Sequence, residues 1–205
     1  MSVDEAAARG RPRDPRTDRD VIAATRRLLA DDGYERVSIE AIAKAAGVSR
    51  PTIYRRWPSK AHLVFDAAFA VPTGADLPTP SGDFDADLRT FVRAALHFWG
   101  DPVVEAAALG ILAERHRDHE LHIRTQQLLD ERTLTKFREL VRAGIEQGVV
   151  DAGVDTDTCY HVLIGTTFYH AQLGATADTD ELAERLCALV IQGMRPTTKR
   201  KRNQR

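Results

Sequence analysis

Residues 38–60 place the strongest constraint on how this chain can fold, because they encode two short helices joined by a tight turn. The first helix carries a single apolar stripe at helical spacing, formed by Ile39, Ile42, Ala43 and Ala46. Ser38 is a favourable N-cap for this helix. Gly47 can adopt the left-handed backbone conformation that ends it without a steric penalty.

The second helix begins directly after this turn. Ser49 is placed to cap it, and Pro51 falls in its first turn, where a missing N–H group costs nothing. Val48 can fill the corner between the two helices. A helix, a glycine-containing turn and a second helix form a helix-turn-helix pattern, which presents the second helix to the major groove of DNA.

The side chains of the second helix support that interpretation. Ile53 and Trp57, four residues apart, are predicted to face the core. Arg50 can donate two hydrogen bonds to a guanine, and the methyl group of Thr52 can contact a thymine methyl. An arginine-rich, solvated helix pair is the alternative. The residues predicted to form the DNA-binding surface, some by phosphate contacts, are Ser38, Ser49, Arg50, Pro51, Thr52, Tyr54, Arg55, Arg56 and Lys60.

Residues 17–69 resemble the DNA-binding domain of the TetR family of bacterial transcriptional regulators. The resemblance implies a homodimer whose two recognition helices enter neighbouring major grooves of a palindromic operator in double-stranded DNA. Arg50 stands at the family's variable position before the proline, and Arg55-Arg56 departs from the residues common there, so no base preference transfers. The matching residues are Leu28, Leu29, Gly33, Tyr34, Val37-Ser38-Ile39, Ile42-Ala43, Ala46-Gly47-Val48-Ser49, Thr52-Ile53-Tyr54, Trp57 and Ser59-Lys60.

The net charge of −1 conceals a strong asymmetry along the chain. Residues 1–60 carry 13 lysines and arginines against 9 acidic residues, whereas residues 61–195 carry 11 against 21. The last ten residues add five basic groups and no acidic one. A basic end and an acidic body would orient the molecule on a polyanion, although charge segregation can also arise by chance.

The periodicity indicates an all-α protein of about nine helices. A three-helix, N-terminal helix-turn-helix domain precedes a C-terminal helical domain for ligand binding and dimerisation. The predicted divisions are a disordered basic arm (1–16), the DNA-binding domain (17–70), the effector-binding and dimerisation domain (71–195) and a disordered basic tail (196–205). The proline-rich segment 71–80 marks the boundary between the two domains.

The last two helices carry more apolar surface than one small bundle needs, and they contain small residues that permit close approach. This pattern predicts a symmetric four-helix interface between two copies of the chain. The family resemblance implies the same arrangement. The residues predicted to form the interface are Leu163, Leu182, Leu186, Leu189 and Val190.

In the TetR family the body holds a cavity for a small-molecule effector. The resemblance therefore implies an effector site, and the composition of the body suggests a largely apolar ligand, for which an aromatic compound is one option. His97 and His161 are the candidate polar anchors. For each candidate, packing or dimer contact is an alternative role. The candidate lining residues are His97, Trp99, Tyr160, His161 and Phe168.

These features predict a dimeric, sequence-specific transcriptional regulator, a repressor that a small-molecule effector releases from its operator. A constitutive or architectural DNA-binding protein without an effector is the first alternative, and a small all-α enzyme is the second. No catalytic motif or phosphate loop supports an enzyme, and no cofactor is predicted. The histidines at 116, 119 and 122 fit a solvated helix junction better than a metal site.

The sequence also predicts a cytoplasmic protein without a membrane partner. It has no N-terminal signal pattern and no apolar run of about 18 residues that could span a bilayer. Cys159 and Cys187 lie far apart in apolar helical patterns, which is typical of buried free thiols in a reducing compartment.

Overall fold

The computed structural model of the chain describes residues 15–70, 77–174 and 178–196. All regular secondary structure in these ranges is helical, which confirms the all-α fold class. The helices are α1 (Pro15–Arg36), α2 (Ile39–Ala45), α3 (Arg50–Tyr54), α4 (Lys60–Phe65), α5 (Phe84–Trp99), α6 (Pro102–Glu114), α7 (His119–Thr125), α8 (Thr133–Glu146), α9 (Thr156–Gln172) and α10 (Thr179–Met194).

Two π-helical segments interrupt the α-helical pattern. The first, Asp66–Ala70, continues α4, and the second, Gln126–Arg132, joins α7 to α8. The sequence predicts one helix from about residue 119 to residue 147, so the described ranges contain ten α-helices instead of about nine. The spacing of apolar residues cannot reveal this break, because the hydrogen bonds of a π-helical turn span five residues where those of an α-helical turn span four, a difference of only one residue.

The ends of the predicted domains are described only in part. Helix α1 begins at Pro15, inside the segment predicted as a disordered arm. The remainder of that arm, most of the predicted tail and residues 71–76 of the predicted boundary lie outside the described residues.

Local sequence signals account for the short helices that precede the body. Gly33 leaves the helical conformation within α1, with φ 75° and ψ 168°. The hydroxyl of Ser38 accepts a hydrogen bond of 3.1 Å from the amide of Ala41 and caps α2 as predicted. Gly47 has a φ of 66°, a conformation that glycine adopts readily. Helices α2 and α3 therefore meet in the predicted helix-turn-helix arrangement.

Two hydrophobic cores organise the described residues. The first runs through α1–α4 into α6 and α7 without interruption, so the DNA-binding domain and the adjoining part of the body share one core. The second is enclosed by α5, α8, α9 and α10. Within it the ring of Phe137 lies 5.1 Å from that of Phe91 and 5.8 Å from that of Tyr160.

The DNA-binding domain and α6 are in close contact at Tyr34 and Gly110. A Cβ atom on Gly110 would lie 2.4 Å from the Tyr34 ring, so a side chain at this position would displace the ring. Burial and nearby acidic side chains raise the pKa of Tyr34 to about 12. Arg26 adds polar contacts, donating to the carbonyl of Ala67 at 2.8 Å and to the carboxylate of Asp101 at 3.3 Å.

Gly110→Ala is expected to destabilise the protein, although alanine favours a helix interior over glycine by about 1 kcal/mol. The new methyl group overlaps the Tyr34 ring, and overpacking of this kind costs about 1–3 kcal/mol. Denaturant unfolding measures the change. In a Tyr34→Ala background the overlap is gone, so the same substitution should be neutral or stabilising. An equal loss in both backgrounds would contradict the explanation.

Candidate functional site

The recognition helix α3 is five residues long and is supported mainly by its inner side chains. Ile53 is fully buried and Trp57 is 6% exposed, as the sequence predicts. Ser49 occupies the N-cap position of α3 as predicted, but its side chain makes no capping hydrogen bond. Its hydroxyl lies 2.9 Å from the hydroxyl of Thr52, and the Thr52 amide donates instead to the Ser49 backbone carbonyl.

The outer surface of the helix-turn-helix carries most of the residues predicted to contact DNA. Arg50 and Arg55 are exposed, and Tyr54 exposes 46% of its surface. Thr52 is half-buried, whereas Ser38, Ser49 and Pro51 are exposed. These residues together present two guanidinium groups, a phenol and several hydroxyls. Such groups form hydrogen bonds with base edges and with phosphate oxygens.

Arg56 and Lys60 are engaged within the protein, which differs from the prediction that both face DNA. Arg56 forms an ion pair with Asp18 of α1, and only 14% of its side chain is exposed. The ammonium group of Lys60 donates to the carbonyl of Tyr34 at 2.9 Å and lies 4.0 Å from the centre of the Tyr34 ring. The sequence cannot reveal these partners, because they lie 26 or more residues away.

The residues predicted to form the dimer interface separate into two groups. Leu163, Leu186 and Val190 are buried in the second core of their own chain, which corrects their placement on an interface. Leu182 is half-buried, and Leu189 exposes 64% of its surface. Each helix carries two apolar stripes, and periodicity alone cannot determine which stripe faces the chain's own core.

The outward stripe of α9 and α10 was identified only in part from the sequence, which predicted Leu189 as an interface residue. Its exposed members include Val162, Tyr169, Leu173 and Leu189. Gly165 and Gly193 are also exposed, and a Cβ atom on either would contact nothing within 4 Å. We refer to these six residues as the α9/α10 face. Exposed apolar side chains beside bare backbone are typical of a surface that another helix can approach closely.

The five predicted effector residues do not converge on one site. Trp99 and Phe168 are in contact, with ring centres 4.9 Å apart, whereas Tyr160 packs against Phe137 in the second core. The side chains of His97 and His161 are exposed. Their predicted role as polar anchors inside the body is therefore not supported, because an internal ligand requires anchors that face the interior.

Trp99 and Phe168 belong to a continuous row of aromatic rings. Phe65 lies 5.5 Å from Phe69, Phe69 lies 6.1 Å from Phe98, and Phe98 lies 5.0 Å from Trp99, which contacts Phe168. We call these five residues the aromatic row. It connects α4 and its π segment to α5 and α9. The sequence did not indicate it, because its members come from separate helices.

The described residues provide little evidence for a reactive thiol or for a metal-binding site. Burial raises the pKa of Cys187 to about 11 and also raises that of Cys159, so neither is set up to form a reactive thiolate. Within these ranges no three histidine, cysteine, aspartate or glutamate side chains are grouped to hold a metal ion. No helix there is long and apolar enough to cross a membrane.

Comparison with known proteins identifies both parts of the fold. Residues 21–67 match the model of bacterial regulatory proteins of the tetR family, and residues 78–190 match the tetracyclin repressor-like C-terminal domain. The HTH-type transcriptional regulator YdeS of Bacillus subtilis is 27% identical over 195 residues, which cover 93% of this chain and 96% of YdeS.

Solved structures show the same architecture. The flavonoid-responsive regulator FrrA is 25% identical, with a TM-score of 0.63 over 89% of this chain and 98% of FrrA. FadR from Bacillus subtilis, solved in complex with stearoyl-CoA, is 19% identical, with a TM-score of 0.65 over 86% of this chain and 98% of FadR. The chain therefore belongs to the TetR family and is a helix-turn-helix transcriptional regulator.

Proposed function

We propose that this regulator is a cytoplasmic homodimeric repressor that binds a palindromic operator and is released by a small, largely apolar effector. The observation that carries the proposal is the exposure of Arg50 and Tyr54 on the recognition helix and of Arg55 at its C-cap, while Ile53 and the following Trp57 are buried on the opposite side. A rigidly seated helix with outward arginines can discriminate between bases, whereas mobile basic side chains supply only non-specific attraction.

Arg50 and Tyr54 have different expected roles. Arg50 is the first residue of α3, where a guanidinium can reach the O6 and N7 atoms of a guanine. Tyr54 ends the helix, and its hydroxyl suits a phosphate oxygen. The first contact carries sequence information and the second does not.

Arg50→Ala is expected to weaken operator binding by about 1–3 kcal/mol per half-site and to leave binding to random duplexes nearly unchanged. The operator is first selected with wild-type protein from a random duplex library, and affinities are then measured by fluorescence anisotropy at one fixed salt concentration. Tyr54→Phe is the matched control and should weaken binding to both duplexes equally. Equal losses on both duplexes for Arg50→Ala would remove its base-reading role.

Dimerisation is proposed through the α9/α10 face. Two recognition helices can bind one side of a duplex only if they are separated by about one helical turn, roughly 34–36 Å, which requires a fixed arrangement of two copies. The exposed apolar stripe and the bare Gly165 and Gly193 permit helices from a second copy to pack closely. Leu182, which is half-buried at the edge of the second core, can extend this contact.

Leu189→Asp is expected to raise the dissociation constant of the dimer by about 100-fold or more. One buried leucine contributes about 1.5–3 kcal/mol, and a symmetric interface loses it twice. Sedimentation velocity over a concentration series measures this change. Val149→Asp is the control, because Val149 is also exposed (44%) but lies in the turn between α8 and α9. An unchanged dimer in Leu189→Asp would exclude this face.

The effector is proposed to act at the aromatic row. A ligand that separates Trp99 from Phe168 would displace rings that are in contact, one after another, up to Phe69 and Phe65 in the π segment and α4. The comparison with FrrA, a flavonoid-responsive regulator, is in keeping with an aromatic ligand. To act as a switch, the ligand must prefer the non-binding arrangement, and a preference of about 1.4 kcal/mol gives only a tenfold change.

Compounds that release the operator should quench or shift Trp99 fluorescence and should lose potency in Phe168→Ala. His97→Ala and His161→Ala are the matched controls and should respond like wild type, because both side chains face solvent. Operator release in a compound screen, repeated with each variant, provides the measurement. Full potency in Phe168→Ala would exclude the aromatic row. If no bound compound released DNA, the constitutive DNA-binding alternative would be favoured.

A further inference from the structure

Asp66 lies at the centre of a polar network that connects the recognition helix to the body. The indole N–H of Trp57 donates to one carboxylate oxygen of Asp66 at 2.7 Å. The guanidinium of Arg124, from the last turn of α7, pairs with the other oxygen. Arg124 also lies 4.8 Å from the centre of the Phe65 ring. Each oxygen of one carboxylate thus holds a group from a different part of the molecule.

We propose that Asp66 and Arg124 are positioning residues for DNA reading: they fix the Trp57 indole and, through it, the C-terminal end of the recognition helix. Neither residue belongs to the exposed group that is proposed to contact DNA. The proposal rests on the function proposed above, and it assigns a part of operator binding to a body side chain in α7.

The recognition helix needs such external support because it is short. A helix of five residues cannot stabilise itself, since helix nucleation costs more than a few hydrogen bonds return. The Trp57 amide donates to the Ile53 carbonyl at 3.0 Å, so the orientation of Trp57 is transmitted directly to the end of α3. The indole N–H belongs to a buried side chain, and leaving it without an acceptor would be unfavourable.

Arg124 determines where that acceptor lies. Asp66 begins a π segment, and its side chain is about one quarter exposed (28%), so packing alone does not immobilise the carboxylate. The planar guanidinium, seated over Phe65, holds one oxygen and directs the other toward the indole. A shift of α7 would therefore move the Asp66 carboxylate, which accepts the hydrogen bond from the Trp57 indole, without first displacing any residue of α3.

Three variants test the network: Arg124→Gln, Trp57→Phe and the double variant that combines them. Arg124→Gln is expected to lower operator affinity by about three- to tenfold, the effect of losing one hydrogen-bonded contact. The operator affinity of the double variant should equal that of the single variant with the lower affinity, because both substitutions break the same connected network. Operator affinity is measured as for Arg50→Ala, at a temperature where unfolding curves show each variant to be folded.

Arg138→Gln is the matched control. Arg138 also forms a hydrogen-bonded ion pair, with Asp157, but that pair joins α8 to α9 within the body. The substitution removes the same charge without touching the network, and it should leave operator affinity unchanged. Arg124→Lys preserves the charge but loses the planar fork, so an intermediate affinity is expected. It replaces Arg124→Gln in the comparison if the glutamine variant is unfolded at the assay temperature.

A direct readout comes from the indole N–H resonances in a ¹⁵N correlation spectrum of the DNA-free protein. The chain contains two tryptophans, and Trp57→Phe identifies the resonance of Trp57. Arg124→Gln should shift that resonance, whereas Arg138→Gln should not. An unshifted Trp57 resonance, or losses in operator affinity that simply multiply in the double variant, would overturn the proposal. Because the spectrum is recorded without DNA, a failure of base reading by Arg50 leaves this test intact.

Discussion

The core that runs from the recognition helix into α6 and α7 is the interaction on which the rest of the structure depends. Helices α2, α3 and α4 have seven, five and six residues, well below the length at which an isolated helix is stable. They persist because Ile42, Ile53 and Leu63 are fully buried. The Tyr34 ring packs against the bare backbone of Gly110, which leaves no room for a side chain at this contact between the domain and the body.

This shared core explains why the cations of the DNA-binding domain have two different roles. Arg26, Arg56 and Lys60 make intramolecular contacts with a carbonyl, a carboxylate or an aromatic ring, and they hold α1 and α4 in place. Arg50 and Arg55 are exposed at the first position and at the C-cap of the recognition helix. Non-specific attraction to DNA depends on total charge, but discrimination depends on arginines held in a defined position by the others.

The body shows a similar division between inner and outer apolar surfaces. Leu163, Leu186 and Val190 close the second core, and the opposite sides of the same helices form the α9/α10 face. The aromatic row belongs to the first core and ends at Phe65, next to the π segment that contains Asp66. A structural change within the body can thus be transmitted toward the recognition helix through side chains in contact, and this transmission does not require flexible elements.

The sequence by itself determined the features that depend on neighbours along the chain. These include the all-α fold class, the Ser38 cap, the left-handed Gly47, and the buried Ile53 and Trp57, because capping and periodicity act over one or two helical turns. The tertiary structure alone decided which stripe of α9 and α10 is buried, which cations are engaged and which aromatic rings touch. Partners such as Arg56 with Asp18, or Arg124 with Asp66, are separated by 38 and 58 residues, and no local pattern encodes such distances.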